Sequence, residues 1–465
     1  MLLQRMYQDG LAQAAYLAGC QATGEALIVD PNRHIAHYRE AAARAGMRIV
    51  AVTETHIHAD FVSGARELAA ATGARLYLSG AGPDEWKYAY AAGDGATLLH
   101  DGDSFMVGNI RVDVRHTPGH TPEHLAFMIT DTAGADAPMG LLTGDFVFVG
   151  DVGRPDLLES AAGLTGTAAP GARRLYASLQ GFRALPDYLQ IWPGHGAGSA
   201  CGKALGAVPQ STVGYEKRFN WAFQAADEAE FVATVLAGQP EPPPYFAQMK
   251  RINKAGPAPV PTATPPVGTA ASLAAALAAG MPVVDVRSAD IYAAGHVPGT
   301  INIAAGGDFL TWAGWLLPYD RPLGLIGDPA SVAAARAELA LIGLDAVAET
   351  WTPAVVAAGP GATFARRRAR EIGGVGALRD LVVLDVRRPD EYAAGHVPGS
   401  LNIPLGHLAA RLDEVPAGRP VLVHCAGGVR SPIAASLLTG HGWASVVDMR
   451  DGFGGWRAAG LPVER

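Results

Sequence analysis

Two stretches of the chain combine residue types that can do chemistry. The first is Thr55-His56-Ile57-His58-Ala59-Asp60-Phe61, directly after the apolar run Ile49-Val50-Ala51-Val52. Two imidazoles and a carboxylate grouped at the end of a buried strand offer nitrogen and oxygen ligands suited to a metal ion. Taken alone, the stretch fits a hydrogen-bonded turn equally well. In the second, the apolar strand Val421-Leu422-Val423-His424 ends in Cys425-Ala426-Gly427-Gly428-Val429-Arg430-Ser431, and a helical run Ile433-Ala434-Ala435-Ser436-Leu437-Leu438 follows. A thiol at a strand-to-helix junction meets backbone N–H groups and a helix N-terminus, which favour the thiolate and stabilise a persulfide anion. Glycines let those N–H groups of Ala426, Gly427, Gly428 and Val429 approach the sulfur, and Arg430 adds charge for an anionic acceptor.

The elements that must position the first stretch alternate. Ala26–Val29 reads as a strand, Asn32–Ala45 as an amphipathic helix, Arg48–Thr53 as a strand, and Val62–Ala71 as a helix closed by Gly73. A strand at Ile110–Arg115 leads into His116-Thr117-Pro118-Gly119-His120-Thr121-Pro122-Glu123-His124. Another at Met139–Thr143 ends in Gly144-Asp145, and Leu189–Trp192 runs into Pro193-Gly194-His195-Gly196. Four strand ends thus deliver His, His, Asp and His, and Gly and Pro in the loops let the backbone turn sharply beside them. Side chains at the ends of neighbouring strands can converge on one point, and a metal site there is the expectation.

At 465 residues the chain exceeds one core, and 49% hydrophobic against 17% charged residues marks it as globular. A net charge of -8, with no basic run beyond Arg366-Arg367-Arg368, excludes nucleic acid as a partner; that triplet reads as solvated surface. The absence of an apolar run of membrane-spanning length argues against a membrane span. Leu17-Ala18-Gly19-Cys20 imitates a lipoprotein cleavage site, but Asp9, Gly10 and Gln13 break any apolar stretch before it. Three widely spaced cysteines, Cys20, Cys201 and Cys425, do not make a disulfide framework, so a reducing cytoplasm is expected and Cys20 reads as core.

Residues 256–268 are Pro-rich and read as a stiff extended tether. Beyond it, Val284-Asp285-Val286-Arg287 with Tyr292-Ala293-Ala294-Gly295-His296-Val297-Pro298-Gly299 recurs as Leu384-Asp385-Val386-Arg387 with Tyr392-Ala393-Ala394-Gly395-His396-Val397-Pro398-Gly399. A repeat this long is a duplicated domain. Arg321-Pro322-Leu323-Gly324-Leu325-Ile326-Gly327 aligns with Arg419 to Cys425, which puts Gly327 where the cysteine would stand.

Taken together and in order, T-H-x-H-x-D, T-P-G-H-T, T-G-D and P-G-H-G resemble the metallo-β-lactamase superfamily over residues 1–254. The resemblance implies an αββα sandwich with His56, His120 and Asp145 as metal ligands. It makes His58, Asp60 and His195 either ligands of a second metal or the hydrogen-bonding shell around the first, and leaves His116 and His124 with ordinary hydrogen-bonded roles. Two-metal hydrolases of this superfamily read H-x-H-x-D-H, and Phe61 stands in place of the last histidine. A phenyl ring cannot ligate, so one metal is expected, and a site with two histidines and one carboxylate suits Fe(II), one per chain.

Gly150-Asp151-Val152-Gly153-Arg154-Pro155-Asp156-Leu157 resembles the G-R-x-D loop of the persulfide dioxygenases. That resemblance implies that Arg154 offers positive charge to an anionic substrate, with Asp156 orienting it. Cys201, a few residues past His195, reads either as a persulfide carrier facing the metal cavity or as an inert buried thiol. Both repeat copies resemble rhodanese domains, over 269–358 and 373–465 with 255–268 as linker. Cys425 is then the sulfur-carrying nucleophile, and the first copy is a scaffold unable to form a persulfide. His296 and His396 brace the fold.

The implied fold class is α/β, a metallo-β-lactamase sandwich followed by two rhodanese-like domains. The implied function is persulfide oxidation with O2 to sulfite, coupled to sulfur transfer that gives thiosulfate. Small-molecule persulfide, O2 and sulfite are the expected partners, and a homo-oligomer the expected assembly. The rival readings are a glyoxalase II-like thioester hydrolase and a non-catalytic persulfide sensor.

Overall fold

The computed structural model describes residues 1–160, 166–358 and 361–465. Alternation along its first strands sends side chains to two different layers. β1 (Leu2–Gln8), β2 (Gln13–Cys20), β3 (Glu25–Val29), β4 (Arg48–Thr53), β5 (Arg75–Ser79) and β6 (Thr97–Leu99) form a sheet in chain order, antiparallel through β3 and parallel from β3 to β6. Ala15, Leu17, Ile28 and Val52 pack with Tyr38, Ala41 and Leu68 of the helices Ile35–Arg44 and Ala65–Thr72. Their neighbours Ala14, Tyr16, Ala18, Cys20, Leu27, Val29 and Ala51 face the other way.

That inner face meets a second sheet of β7 (Ser104–Val107), β8 (Ile110–His116), β9 (Leu125–Asp131), β10 (Gly140–Gly144), β11 (Gln190–Pro193) and β12 (Ser211–Thr212), through Val112, Val114, Phe127, Leu142 and Trp192. The outer face of this sheet (Ala126, Met128, Leu141, Ile191) packs on the helices Ala168–Arg183 and Glu228–Leu236. Two sheets back to back with helices on both outer faces are the αββα sandwich that the motifs implied.

Two expected helices start later than periodicity suggested, because side chains take up the backbone before them. Asn32 hydrogen-bonds Gln13 and the N–H of His34, so the first helix begins at Ile35. Ser63 accepts the Ala65 N–H while Asn253 holds the Ser63 N–H, so the second begins at Ala65; Gly73 caps it in the left-handed conformation, as expected.

The Pro-rich segment carries no helix or strand from 257 to 266, but it is tied at both ends. The Ala258 carbonyl accepts from Arg33, the Pro266 carbonyl accepts the Thr350 N–H, and Gly268 N–H donates to the Thr350 carbonyl. The described residues divide into two compact units, Met1–Pro261 with Ala340–Gly343, and Thr262–Leu339 with Leu344–Arg465.

The second unit holds two parallel sheets. The first has the order β14-β13-β15-β16, made of β13 (Val283–Asp285), β14 (Ile301–Asn302), β15 (Leu323–Ile326) and β16 (Val347–Trp351). The other has the order β17-β21-β20-β18-β19, made of β17 (Ala365–Arg367), β18 (Val382–Asp385), β19 (Leu401–Asn402), β20 (Val421–His424) and β21 (Val446–Met449). The repeat is visible atom by atom. Arg287 grips Asp285 as Arg387 grips Asp385, and Asn302 and Asn402 make the same pair of carbonyl bonds. His296 stacks on Tyr292 at 4.1 Å and His396 on Tyr392 at 3.8 Å.

Arg366 does not lie on a solvated surface. β17 carries it onto the edge of the second sheet, opposite Asp448, and its side chain is 12% exposed.

Candidate functional site

The ends of β4, β8, β10 and β11 bring His56, His120, Asp145 and His195 to one buried place. Donor atoms of His56, His120 and Asp145 lie within 4.8 Å of one another. Asp145 Oδ2 is 3.5 Å from His120 Nε2 and 4.0 Å from His56 Nε2.

Each ring is turned by its other nitrogen. Thr55 Oγ1 donates to Asp30 Oδ2 and so accepts from His56 Nδ1, at 2.9 Å in both bonds. His120 Nδ1 donates to the Arg154 carbonyl at 3.0 Å. Both Nε2 atoms are left facing Asp145, and such outer hydrogen bonds are how proteins orient ligating histidines. His56 Nε2 and Asp145 Oδ2 are buried with no hydrogen-bond partner. Buried polar atoms are costly to leave unpaired.

Burial and the surrounding imidazoles push His56 well below its usual range, and burial lowers His120, so both offer neutral lone pairs. Burial opposes the charge of Asp145, yet His195, His120 and His58 hold its carboxyl below the ordinary carboxylate value. Two neutral imidazoles and a carboxylate, with one donor atom of each gathered within 4.8 Å and those of His56 and Asp145 unpaired, fit a divalent metal ion.

The surrounding histidines have partners of their own, with His58 Nδ1 left buried and unpaired. His195 bridges two carboxylates, Nδ1 to Asp145 Oδ1 at 2.7 Å and Nε2 to Asp60 Oδ2 at 2.8 Å. Although burial disfavours its charge, these two carboxylates raise its pKa well above the usual value. His58 Nε2 meets Asp30 Oδ1 at 3.1 Å; burial works against its charge, but Asp30, Glu54 and Asp60 raise it to about 9. Phe61 is fully buried with its ring 4.3 Å from that of His58. His124 accepts the Asp145 N–H at Nε2 and donates to Thr117 from Nδ1, while His116 bonds the Pro122 carbonyl.

The Arg154 guanidinium is placed otherwise than the expectation of a charge open to substrate. It is buried; Nε and Nη2 donate to Asp156 at 2.9 and 2.6 Å, and Nη1 to the carbonyls of Ala200 and Pro240. With all three nitrogens donating inside the protein, Arg154 acts on the site through its carbonyl, which turns His120. Cys201 is buried with its sulfur beside Asp60 and His195, and burial, then the Asp60 and Asp145 charges, push its thiol well up.

The sequence reading missed Asp30 and Asn253. Asp30, after β3 and at φ +53°, holds the Thr55 N–H as well as the Thr55 hydroxyl and His58. Asn253 donates to the carbonyls of His58 and Phe61. Asp30 had one signal, a carboxylate directly after an apolar strand; Asn253 had none.

In the other unit, Cys425 follows β20 and is buried; Gly428 N–H donates to its sulfur at 3.1 Å, and the thiol donates to Ser431 Oγ at 3.6 Å. Ala426 and Gly428 are half-buried, whereas Gly427 and Val429 are exposed at the rim. Gly428 adopts φ +89°, and a Cβ there would stand 1.9 Å from the Arg450 carbonyl oxygen. Arg430 opens the helix Arg430–Gly440, but its guanidinium forks onto Glu391 at 2.7 and 2.8 Å, so its charge is shared before any acceptor arrives. In the first copy only Gly327 and Asp328 separate β15 from the helix Pro329–Leu341, against Cys425 to Val429 in the second. The first copy lacks both the thiol and the loop that would cradle it.

Residues 9–195 match the metallo-beta-lactamase superfamily, and residues 269–348 and 374–459 match the rhodanese-like domain. A metallo-beta-lactamase structure from Staphylococcus aureus is 44% identical and superposes with a TM-score of 0.68 over 76% of this chain and 99% of its own. The chain belongs to the metallo-beta-lactamase superfamily and carries two rhodanese-like domains. Among curated relatives of the chain, the mitochondrial persulfide dioxygenase ETHE1 of Mus musculus is 28% identical over 42% of this chain and 68% of its own length. A sulfurtransferase of Allochromatium vinosum is 34% identical over 18% of this chain and 78% of its own. The chain spans between 41% and 78% of the length of the curated relatives it matches.

Proposed function

We propose that the chain oxidises low-molecular-weight persulfides with O2 at a single Fe(II) and transfers sulfane sulfur through Cys425 to sulfite, giving thiosulfate. The observation that carries this reading is the buried His56–His120–Asp145 triad, with His56 Nε2 and Asp145 Oδ2 unpaired, together with a Phe61 ring where the last histidine of a two-metal motif would stand. An iron ion held there would supply open positions for two reactants and Lewis-acid assistance.

The residues around it hold the geometry. Asp30 through Thr55, and Arg154 through its carbonyl, fix the two rings, while His195 holds one oxygen of Asp145 and leaves the other free. Phe61 and the burial of the ligands limit water. The overall oxidation balances as RSSH + O2 + H2O giving RSH, sulfite and two protons.

At the second site the Cys425 thiolate takes the outer sulfur of RSSH and releases RSH. Sulfite then takes that sulfur from the cysteine persulfide and regenerates the thiolate. Gly428 N–H steadies the sulfur anion in both steps. The domain bounds 1–254, 269–358 and 373–465, a cytoplasmic location and a homo-oligomer belong to the same proposal. Product analysis tests it: aerobic protein given glutathione persulfide should form sulfite, and added sulfite should appear as thiosulfate. Thioester cleavage without either product would mean a hydrolase, and bound iron without turnover a sensor.

A further inference from the structure

The charge network behind Cys425 reaches into the copy that has no cysteine. Ser431, whose hydroxyl lies 3.6 Å from the sulfur, is buried within reach of the Asp448 carboxylate on β21. Asp448 Oδ2 accepts from Arg366 Nε at 2.6 Å, and Oδ1 is buried without a well-formed bond. The other end of the same guanidinium, Nη1, donates to Asp290 Oδ1 at 2.6 Å. Asp290 belongs to the helix Ala289–Ala294 of the first copy, and Arg450 also reaches it at 3.6 Å.

This arrangement goes with the cysteine. Val423 pairs with Asp448 across β20 and β21, and its counterpart Leu325 pairs with Thr350 across β15 and β16. The copy without a thiol therefore has no carboxylate at that place. A buried anion near a sulfur that must itself become anionic is unfavourable, because like charges disfavour ionisation in a low-dielectric interior.

We infer that Arg366 is a positioning residue for the Cys425 chemistry: it neutralises Asp448, so that Ser431 can be held against the sulfur without the carboxylate repelling a thiolate or persulfide. Asp290 fixes the guanidinium, and the first copy thereby contributes to the charge balance of the second. The inference rests on the proposed sulfur transfer at Cys425. The other charged or titratable groups facing the thiol are Arg430 with Glu391, and His424 with Asp385 and Arg387.

The test is the pH dependence of Cys425 alkylation by iodoacetamide in the full chain, read by peptide mass spectrometry. Arg366→Met should move the midpoint up by about one pH unit, slowing alkylation at neutral pH roughly tenfold. Arg366→Lys should keep the wild-type midpoint, and Arg366→Met with Asp448→Asn should restore it. Should Arg366→Met fail to fold, Asp448→Asn alone decides, with a lowered midpoint expected and a raised one overturning the inference. An unmoved midpoint in Arg366→Met, or the same upward shift with and without Asp448→Asn, would equally overturn it. Alkylation needs no sulfur substrate, so a wild-type protein that forms no thiosulfate would sink the proposed function without touching this result.

Discussion

Replacing Gly428 by alanine attacks a backbone donor that reaches the Cys425 sulfur. Gly428 holds φ +89°, where an L-residue is strained by about 1–2 kcal/mol. The new Cβ would also stand 1.9 Å from the Arg450 carbonyl oxygen and 2.7 Å from its carbon. Those are backbone atoms of the turn after β21, so the loop must shift away and carry the Gly428 N–H off the sulfur. A hydrogen bond to a charged group contributes about 1.5–3 kcal/mol, so thiosulfate formation should fall roughly tenfold to a hundredfold. Gly427→Ala provides the comparison: its Cβ would meet nothing within 4 Å, and it should retain far more activity. The assay is thiosulfate release from persulfide and sulfite, with circular dichroism to confirm folding. Equal activity in the two variants would refute the role given to the Gly428 N–H.

Cys425→Ser should abolish thiosulfate formation and leave O2 uptake largely intact, as followed with an oxygen electrode; loss of both would show that the two sites are not separate. His120→Ala should lose bound metal and O2 uptake while sulfur transfer survives, with metal analysis as the readout; retention of full metal would remove His120 from the ligand set. Burial opposes the Glu391 charge, but Arg430 and Arg388 hold its pKa down to about 2 from an ordinary 4.5. A depressed carboxylate contributes stability that is present above 4.5 and lost as pH falls through about 2. Denaturant titrations from pH 5 to roughly 2 should therefore show Glu391→Gln losing stability less steeply than the wild type. Identical slopes would mean the Arg430 pair contributes nothing to folding.

Much of the candidate metal centre was legible because the residues proposed as its ligands follow strands. An apolar run ending in His56, or in Gly144-Asp145, marks both the element and the side chain it delivers. Cys425 was legible for the same reason, with glycines beside it. What escaped was carried by partners without a pattern. Arg154 is held by carbonyls of Ala200 and Pro240, and a carbonyl leaves no trace in residue type. Asn253 reaches His58 and Phe61 from a helix far along the chain. Arg366 looked like one of three surface arginines; only the pairing of β17 with β21 sets it opposite Asp448 and apart from Arg367 and Arg368.

The proposed function depends on a single iron serving oxidation. Metal analysis of anaerobically purified full chain, combined with O2 uptake on addition of glutathione persulfide, tests it most directly. The account predicts one iron per chain and one O2 consumed per persulfide. Two metals per chain, or zinc with thioester cleavage and no O2 uptake, would contradict it.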